Sequence, residues 1–446
     1  MLTLTVHVMT IGPFIDDEFE TRLKEAFSTS PLHSRVMLKG RDRELERAVF
    51  GLANPGKATF VVGDRGVGKT SLAQTCARVL TNGERTAIFE LSCDKGQELF
   101  RIIREMGREL VKYDPLSNPA QTSLSFKAGV VGYDRKTESG VMVPLPDSVN
   151  DALQILLSAL ERWRSKSGFE VPVVIVDEFD RLEKDKELFG DFIKQIGDRG
   201  VPIRLIFCGV AHEISELLGS HPSAPRHITT VLLDRLGWDP RMQIVQDAAK
   251  LLDLEFQKDH IFRMAAISDG YPYYIHLIGT EAARVHHYSQ EASNNTISSD
   301  EFNDAVARAV ENTMLDLKRL YDEATKKYTS SDEAVATVSE NELVLWATAS
   351  HPDLERSGTA IFQDYIRLKQ VLQRQGRVNA DGRDSSEKEH RRLFNNRLQA
   401  LKRDTHGEVL KSDKRGWYYF EQPMLRGYCR LVAHKKTGIE LGREYH

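Results

Sequence analysis

The sequence has few cysteines and no long apolar run, and each shortage excludes a class of protein. Its 446 residues contain four cysteines, at 76, 93, 208 and 429, and no two of them form a C-x-x-C pair. We therefore expect buried thiols in a reducing compartment, without a disulfide framework or a zinc site. No apolar run approaches the roughly 20 residues of a membrane-spanning helix. The N-terminus also lacks the basic segment and cleavage site of a signal peptide, so we expect a cytoplasmic protein with no membrane partner.

Neither sign of charge dominates the whole chain, but the charge is unevenly distributed. The 61 basic and 65 acidic side chains give a net charge of −4. Residues 341–446 contain 20 Lys or Arg and 14 Asp or Glu, so this part carries +6 and the rest of the chain carries −10. A mildly basic C-terminal part indicates nucleic acid or an acidic protein as partner. The length predicts about three domains.

Residues 63–70 match the P-loop pattern G-x-x-x-x-G-K-[ST] at every fixed position. The apolar run Ala58–Val62 before the loop predicts a buried strand, and Ser71–Leu80 after it predicts a helix. Backbone N–H groups of such a loop surround phosphate oxygens, and the helix N-terminus adds partial positive charge. Lys69 can reach the β- and γ-phosphates, and Thr70 can place its hydroxyl on Mg²⁺. The candidate ATP-binding residues here are Gly63, Asp64, Arg65, Gly66, Val67, Gly68, Lys69, Thr70 and Ser71.

A second apolar run, Val173–Val176, ends in two carboxylates, Asp177 and Glu178. Such a run is typical of a central parallel strand, whose carboxyl end opens into the ligand crevice of an α/β sheet. We expect Asp177 to hold Mg²⁺ and Glu178 to act as the general base on the attacking water. The alternative is a solvated acidic turn after a strand. Asp180 and Arg181 follow on the same loop as supporting charges without an assigned role.

Around these motifs, strands and helices alternate, which predicts an α/β fold with a parallel sheet covered on both faces. The further predicted strands are Thr86–Leu91, Pro202–Cys208 and Ile228–Leu233, and the predicted helices are Gly96–Tyr113, Val149–Lys166 and Leu182–Arg199. Residues 114–147 are rich in Ser, Gly, Pro and Thr and are too long for a simple connection. We interpret them as a surface insertion, consistent with a β-hairpin.

From Asp239 onward the pattern is helical and predicts an all-helical lid followed by a second small domain. The predicted lid helices are Met242–Leu252, Lys258–Ile267, Tyr273–His287 and Ser299–Tyr328. A polar linker, Thr329–Val338, precedes three helices, a hairpin and a final helix, predicted at Glu342–Ala349, Thr359–Arg374, Glu387–Arg403, Glu408–Phe420 and Met424–His434. Three helices plus a hairpin is the winged helix-turn-helix arrangement.

With these motifs, the sequence resembles the AAA+ and STAND class of P-loop ATPases, especially bacterial and archaeal members allied to the origin-recognition ATPases. The resemblance runs from about residue 38 to about residue 433. It implies that Arg41, in the motif Gly40–Leu45, lies near the adenine. It implies that Arg226 is an arginine finger acting on the γ-phosphate of a neighbouring subunit, the alternative being a surface loop arginine. It also implies that Pro272, in Gly-Tyr-Pro, packs near the adenine, the alternative being a proline at an ordinary helix start.

The sequence departs from the family at its sensor positions. The polar sensor after the fourth strand is usually Asn or Thr, whereas this strand ends in Cys208–His212. His212 is a candidate substitute, or a structural hydrogen-bond donor in the turn. Arg284 is the candidate for the sensor arginine of the lid. These departures affect the expected turnover more than nucleotide binding.

We therefore expect an ATP- and Mg²⁺-binding switch with five parts. They are an N-terminal extension (1–37), a P-loop core (38–237), a helical lid (238–328), a linker (329–340) and a winged-helix domain (341–446). Catalysis is assigned to Lys69, Glu178 and Arg226, and Mg²⁺ binding to Thr70 and Asp177. Because the resemblance places Arg226 in a neighbour's site, we expect a homo-oligomer with shared ATP sites.

Two hypotheses remain for what the switch controls. The first is duplex DNA bound through residues 387–415, in replication initiation, transposition or defence against phage. The basic residues behind this hypothesis are Lys388, Arg391, Arg392, Arg397, Lys402, Arg403, Lys411, Lys414 and Arg415. They could contact phosphates, or they could form a solvated helix face diluted by neighbouring acids. The second hypothesis is a signalling or scaffold ATPase that controls a separate effector protein through its winged helix.

Overall fold

The computed structural model describes residues 16–28, 38–112, 143–210, 224–289, 294–326, 338–378 and 386–442. The chain divides into two compact units. One lies within Pro31–Gly237 and is called the sheet unit; the other combines Met1–Ser30 with Trp238–His446 and is called the helical unit. None of the helices in the described ranges is long and apolar enough to cross a membrane.

The elements of the two units are numbered here in chain order. The helices are α1 (Asp17–Ala26), α2 (Asp42–Gly51), α3 (Lys69–Leu80), α4 (Leu99–Lys112), α5 (Val149–Ser167), α6 (Lys186–Asp198), α7 (Trp238–Leu252), α8 (Lys258–Ser268), α9 (Pro272–His287), α10 (Ser299–Asn312), α11 (Leu315–Thr325), α12 (Glu340–Ala349), α13 (Gly358–Arg374), α14 (Glu387–Ala400) and α15 (Leu425–Thr437). The strands are β1 (Ala58–Gly63), β2 (Ile88–Ser92), β3 (Gln97–Glu98), β4 (Val173–Asp177), β5 (Leu182–Lys184), β6 (Arg204–Gly209), β7 (Ile228–Leu233), β8 (Arg356–Ser357), β9 (Leu410–Lys411) and β10 (Trp417–Phe420).

The sheet unit is built on a five-stranded sheet in the order β2-β4-β6-β1-β7. Every neighbouring pair in this sheet is parallel. The predicted α/β fold with a parallel sheet is confirmed. All six residues of β1 are buried, as are nearly all residues of β4 and β6, which explains why these strands form apolar runs in the sequence. Because the strands are parallel, the P-loop after β1 and the carboxylates after β4 emerge at the same edge.

The helix predicted from Leu182 starts later than expected. Residues 182–184 form β5, which pairs in parallel with β3, and the helix α6 begins at Lys186. Asp185 between them has a left-handed φ of 60°. A short apolar stretch fits a strand or a helix equally well, and here a pairing with residues far along the chain decides the outcome.

Four phenylalanines hold the central strands and the loop after β4 together. The Phe60 ring on β1 lies 5.1 Å from Phe207 on β6, and the Phe179 ring lies 4.5 Å from Phe207 and 4.9 Å from Phe189 on α6. All four side chains are buried. Phe179 directly follows Glu178, so this cluster fixes the loop that carries the second acidic motif.

In the helical unit, the N-terminal helix α1 packs on the lid helices. Phe19 stacks on His287 with ring centroids 3.7 Å apart. The Arg284 guanidinium donates two hydrogen bonds to the Glu20 carboxylate, at 2.9 and 2.6 Å. The sequence pattern predicted no helix in this N-terminal segment. Arg284, the candidate lid sensor, is thus engaged with α1.

The single helix predicted over Ser299–Tyr328 is wrong, because two helices, α10 and α11, occupy the described part of this range. The break falls at Thr313, whose backbone is extended at φ −63° and ψ 154°. The Thr313 hydroxyl donates to the Ala309 carbonyl (2.7 Å), and the Met314 N–H donates to the Tyr273 hydroxyl (3.1 Å). The sequence has neither Gly nor Pro at the break, so its cause is tertiary.

The C-terminal part contains the predicted helices and hairpin together with a third short strand. Strand β10 pairs antiparallel with β9 of the hairpin and with β8, which the sequence did not indicate. The helix predicted over Glu387–Arg403 ends at Ala400, and a 3-10 turn follows at Asp404–His406. Assignment of this part to the winged-helix class stays a prediction.

A buried ionic cluster joins the turn between α8 and α9 to α15. The Asp269 carboxylate lies 2.6 Å from Nε of Arg426 and 3.0 Å from Nη2 of Arg430. All three side chains are at most 2% exposed. Other guanidinium N–H groups donate to backbone carbonyls. Nη1 of Arg430 donates to the Ala266 carbonyl at 2.6 Å, and Nη1 of Arg426 donates to the Asp353 carbonyl at 2.7 Å. The single Asp269 carboxylate is thus shared by two buried cations, and backbone carbonyls accept their other hydrogen bonds.

We predict that Asp269→Asn destabilises the helical unit by about 3–5 kcal/mol, because it leaves two buried guanidinium groups without their counter-charge. The measurement is amide hydrogen exchange in α8 and α15 across a denaturant series. The matched control is Asp304→Asn, which removes an exposed ion pair with Arg308 (3.0 Å) and is expected to cost about 1 kcal/mol or less. Equal losses in the two variants would contradict the prediction.

Candidate nucleotide site

Two glycines give the loop after β1 its shape. Gly63 has a φ of 156°, and a Cβ there would lie 2.3 Å from the Leu233 carbonyl oxygen. Gly68 has a left-handed φ of 98° and forms the N-cap of α3. A side chain is therefore excluded at Gly63 by contact and disfavoured at Gly68 by conformation. The first-turn N–H groups of α3 lie at the end of a glycine-rich loop, which is the arrangement that binds phosphate.

The Lys69 side chain folds back over this loop. Its ammonium group donates to the carbonyl oxygens of Gly63 and Asp64, both at 2.9 Å. Burial lowers the pKa of Lys69, while the carboxylates of Asp177, Asp180 and Asp64 oppose that shift. The cation is thus placed inside the loop by two backbone acceptors.

Thr70 and Asp177 are in direct contact. The Thr70 hydroxyl donates to Oδ2 of Asp177 at 2.6 Å, across 107 residues of sequence. The other oxygen, Oδ1, accepts the backbone N–H of Glu178 at 2.8 Å. Hydroxyl and carboxylate oxygens are ligands that Mg²⁺ takes, usually alongside water and substrate phosphates. Within the described ranges no group of three or more His, Cys, Asp or Glu is placed to hold a metal. The pair therefore fits Mg²⁺ held jointly with a nucleotide.

Glu178 is held in an unusual backbone conformation. Its φ of 54° and ψ of 34° lie in the left-handed region, which costs on the order of 1–3 kcal/mol for a residue other than glycine. Oε2 of the carboxylate lies 2.6 Å from Nη1 of Arg181 and accepts the Ser92 hydroxyl at 3.3 Å. The Glu178 side chain is 40% exposed. A strained, accessible carboxylate beside the Thr70–Asp177 pair is suited to proton transfer.

Ser92 and Glu90 are site residues that the sequence analysis missed. Ser92 is the last residue of β2 and pairs with Asp177 of β4 in the parallel register. Glu90 on the same strand accepts a hydrogen bond from the Gln74 amide at 2.8 Å, and burial raises its pKa. The carboxyl ends of all strands in a parallel sheet lie at the same edge. The predicted strand over Thr86–Leu91 therefore indicated that its end lies beside the end of β4.

Arg41, the N-cap residue of α2, contacts the P-loop. It is buried, and its Nη2 donates to the Val67 carbonyl at 3.2 Å and to the Asp234 carbonyl. Nη1 donates to the Glu44 carboxylate at 3.4 Å. Burial lowers the pKa of Arg41. Its contacts in the structure are to the loop itself, so adenine contact by Arg41 stays a prediction.

Arg226 lies at the opposite edge of the sheet from the P-loop. It is exposed in the turn Ala224–His227 just before β7, and its carbonyl accepts from Lys57 Nζ at 3.1 Å. The far end of β7, Leu233, pairs with Gly63 at the start of the loop. The six residues of β7 separate the two edges by about 20 Å. Arg226 is thus positioned away from the P-loop of its own chain.

The remaining site residues predicted from the sequence are Pro272, in the helical unit, and His212, outside the described residues. Pro272 is the first residue of α9, where its fixed φ suits a helix start. His212 lies outside the described residues, in the segment 211–223. The end of β6 before that segment is fixed by the Val210 N–H, which donates to Oδ1 of Asp180 at 3.2 Å.

Comparison with known proteins finds a family match over the sheet unit. Residues 54–218 match the AAA domain model AAA_22. In a curated yeast protein, the ATP-dependent permease PDR12 of Saccharomyces cerevisiae, a 72-residue segment is 35% identical. That segment covers 16% of this chain and 5% of the permease.

Similar solved structures are found along most of the chain. The Walker-type ATPase paby2304 of Pyrococcus abyssi is 17% identical with a TM-score of 0.48, covering 90% of this chain and 98% of that one. The Aeropyrum pernix ORC1 protein in complex with DNA is 15% identical with a TM-score of 0.42, covering 92% and 95%. The RuvB Holliday junction branch migration motor of Thermotoga maritima is 17% identical with a TM-score of 0.40, covering 87% and 95%. Likenesses at this level establish neither a shared activity nor a shared partner.

Proposed function

We propose that this chain binds ATP with Mg²⁺ and hydrolyses it as a molecular switch, and the match of residues 54–218 to the AAA domain model supports this proposal. The observation that carries the proposal is the 2.6 Å hydrogen bond between Thr70 and Asp177. It brings together the P-loop and the acidic strand end, two motifs far apart in sequence. The P-loop lysine and Glu178 flank that contact along the chain.

The site residues divide the work of phosphoryl transfer. The loop N–H groups and Lys69 would bind the phosphates, with Lys69 placing positive charge by the γ-phosphate. Mg²⁺, held by Thr70 and Asp177, would neutralise charge on the phosphate oxygens when bound. Glu178 would orient the attacking water and accept its proton on the carboxylate. All four side chains, of Lys69, Thr70, Asp177 and Glu178, lie where β1 and β4 end, at one edge of the sheet.

We further propose that the active form is a homo-oligomer in which Arg226 completes a neighbour's site. The support is its exposed position at the sheet edge opposite its own P-loop. An arginine so placed can approach the γ-phosphate of a second copy but not that of its own chain. ATP would then favour the oligomer because it stabilises the state whose interface it completes.

For the output of the switch we propose duplex DNA bound by α14 and the hairpin. Cations there lie over aromatic rings: Lys414 is 4.8 Å from the Trp417 ring and Lys402 is 5.7 Å from the Tyr418 ring. A basic surface with aromatic support is suited to phosphate contact. Replication, transposition and phage defence are all settings in which such a DNA-bound switch would act.

One observation favours the second hypothesis, a separate effector protein. The arginines of α14 are partly neutralised, because Arg391 lies 3.9 Å from Glu387 and Arg392 lies 4.0 Å from Glu389. The Arg391 guanidinium also lies 4.1 Å from the centre of the Phe362 ring. A mixed charged and apolar face of this kind also suits a protein partner.

The ATPase assignment predicts different losses for two substitutions. Lys69→Ala should abolish ATP binding or reduce it severely, because it removes the buried cation of the loop. Glu178→Gln should keep ATP bound but lower turnover by about 10² or more, because an amide cannot accept the proton of water. Equilibrium binding of a labelled ATP analogue and phosphate release measure the two effects. Lys166→Ala, an exposed lysine on α5, is the control and should change neither. Wild-type binding by Lys69→Ala would refute the site.

The oligomer proposal predicts that Arg226→Ala binds ATP normally and hydrolyses it at least about tenfold more slowly. An arginine finger raises kcat by roughly 10³ or more in related reactions. Mixing it with Lys69→Ala subunits should restore part of the activity, because hybrid interfaces of one orientation join the intact P-loop of an Arg226→Ala subunit to the intact Arg226 of a Lys69→Ala subunit. Hydrolysis by the mixtures is compared with that of each variant alone. The in-trans role is rejected if mixing rescues nothing and the protein stays monomeric in ATP by light scattering.

The DNA proposal predicts that the double reversal Arg391→Glu/Arg392→Glu weakens duplex binding without changing ATP hydrolysis. Each lost phosphate contact should reduce the slope of log affinity against log salt by about 1. Binding is measured with the full chain across a salt titration, with ATP and with ADP. Arg308→Glu/Arg319→Glu reverses two charges elsewhere in the helical unit and should leave the slope unchanged. If the wild-type chain shows no salt-dependent binding, the effector hypothesis replaces this one.

A further inference from the structure

The turn after β4 pairs the candidate general base with an arginine on the same turn. Nη1 of Arg181 lies 2.6 Å from Oε2 of Glu178, and the two side chains are 42% and 40% exposed. The Arg181 N–H also donates to the Glu178 carbonyl at 2.9 Å, closing a tight turn. The backbone therefore presents the guanidinium to the carboxylate at a fixed spacing of three residues.

This turn is anchored on both sides. Between the two residues, Phe179 is buried in the aromatic cluster described above. Asp180 accepts the Val210 N–H at the end of β6 (3.2 Å). The same Nη1 of Arg181 also donates to the Cys93 carbonyl at 3.3 Å. These contacts fix the backbone of the turn that carries both Arg181 and Glu178.

Both described contacts of the Glu178 carboxylate, to Arg181 and to Ser92, use the same oxygen, Oε2. Ser92 is the last residue of β2 and Cys93 follows it, so the carboxylate is oriented toward that side of the turn. A general base must bring a carboxylate oxygen within hydrogen-bond reach of its water. An ion pair that holds the carboxylate in one orientation restricts that approach.

We propose that Arg181 is a positioning residue that holds Glu178 in a resting orientation, so that the ion pair must open before hydrolysis. The proposal rests on the proposed ATPase function and adds a regulatory contact to the same site. Exposed ion pairs are weak and are screened by salt. The contact therefore acts as a moderate brake on the basal rate that a bound partner could release.

The test is the steady-state kinetics of the full-length variant Arg181→Gln with ATP and Mg²⁺. We expect kcat to rise about two- to fivefold, the range set by a weak exposed pair, with KM unchanged. Arg181→Lys retains the charge and should stay near the wild-type rate. Raising the ionic strength at saturating ATP should reduce the difference in kcat between wild type and Arg181→Gln. A merely structural role would lower kcat and would leave no such salt dependence.

The matched control is Arg108→Gln. Arg108 pairs with Glu105 at 2.9 Å with the same three-residue spacing and similar exposure, on α4. It should leave kcat unchanged. The double variant Glu178→Gln/Arg181→Gln should be as inactive as Glu178→Gln alone, because the gain must act through Glu178.

The outcomes separate this inference from the ATPase proposal. If Glu178→Gln hydrolyses ATP at the wild-type rate, Glu178 is not the base and both proposals fail. If Glu178→Gln is inactive but Arg181→Gln shows an unchanged or lower kcat, only the resting contact is overturned. A rise in kcat that persists in the double variant would also overturn it.

Discussion

Parallel strand pairing is the constraint on which the candidate site depends. It forces β1 and β4 to end at the same edge of the sheet, with β6 between them. The Thr70 hydroxyl then meets the Asp177 carboxylate across 107 residues of sequence. The same constraint brings Ser92 of β2 next to Asp177 and sends Arg226, before β7, to the opposite edge. Strand direction therefore separates Arg226 from the P-loop of its own chain.

Buried side chains fix the two segments around this edge. The phenylalanine cluster secures the turn that carries Glu178, and the strained backbone of that residue persists because its neighbours are immobilised. In the helical unit, Asp269 plays a comparable role, since its carboxylate contacts two buried guanidinium groups on α15. Within that unit the lid helices and the C-terminal helix are therefore linked by charge as well as by apolar packing.

The parallel α/β core was predictable because its three central strands, β1, β4 and β6, are almost wholly buried and therefore form apolar runs. Strand Ile228–Leu233 was predicted with its observed bounds. Predictions failed where a local pattern fits two structures. Leu182 begins a strand rather than a helix because β3 supplies its partner. The helix predicted over Ser299–Tyr328 breaks at Thr313, where side-chain and tyrosine hydroxyl contacts replace helical hydrogen bonds. None of these partners is visible from the local sequence.

The sequence by itself determined the P-loop, the acidic pair after β4 and the class of the core, because these depend on residue types at fixed short spacings. Glycines, a lysine and a hydroxyl must be adjacent in the chain to surround a phosphate. Only the tertiary structure decided that Ser92 lies beside Glu178, that Arg284 binds Glu20, and how Asp269 is compensated. Those contacts join residues 86, 264 and 157 positions apart. Their formation depends on how whole elements pack, which no local spacing encodes.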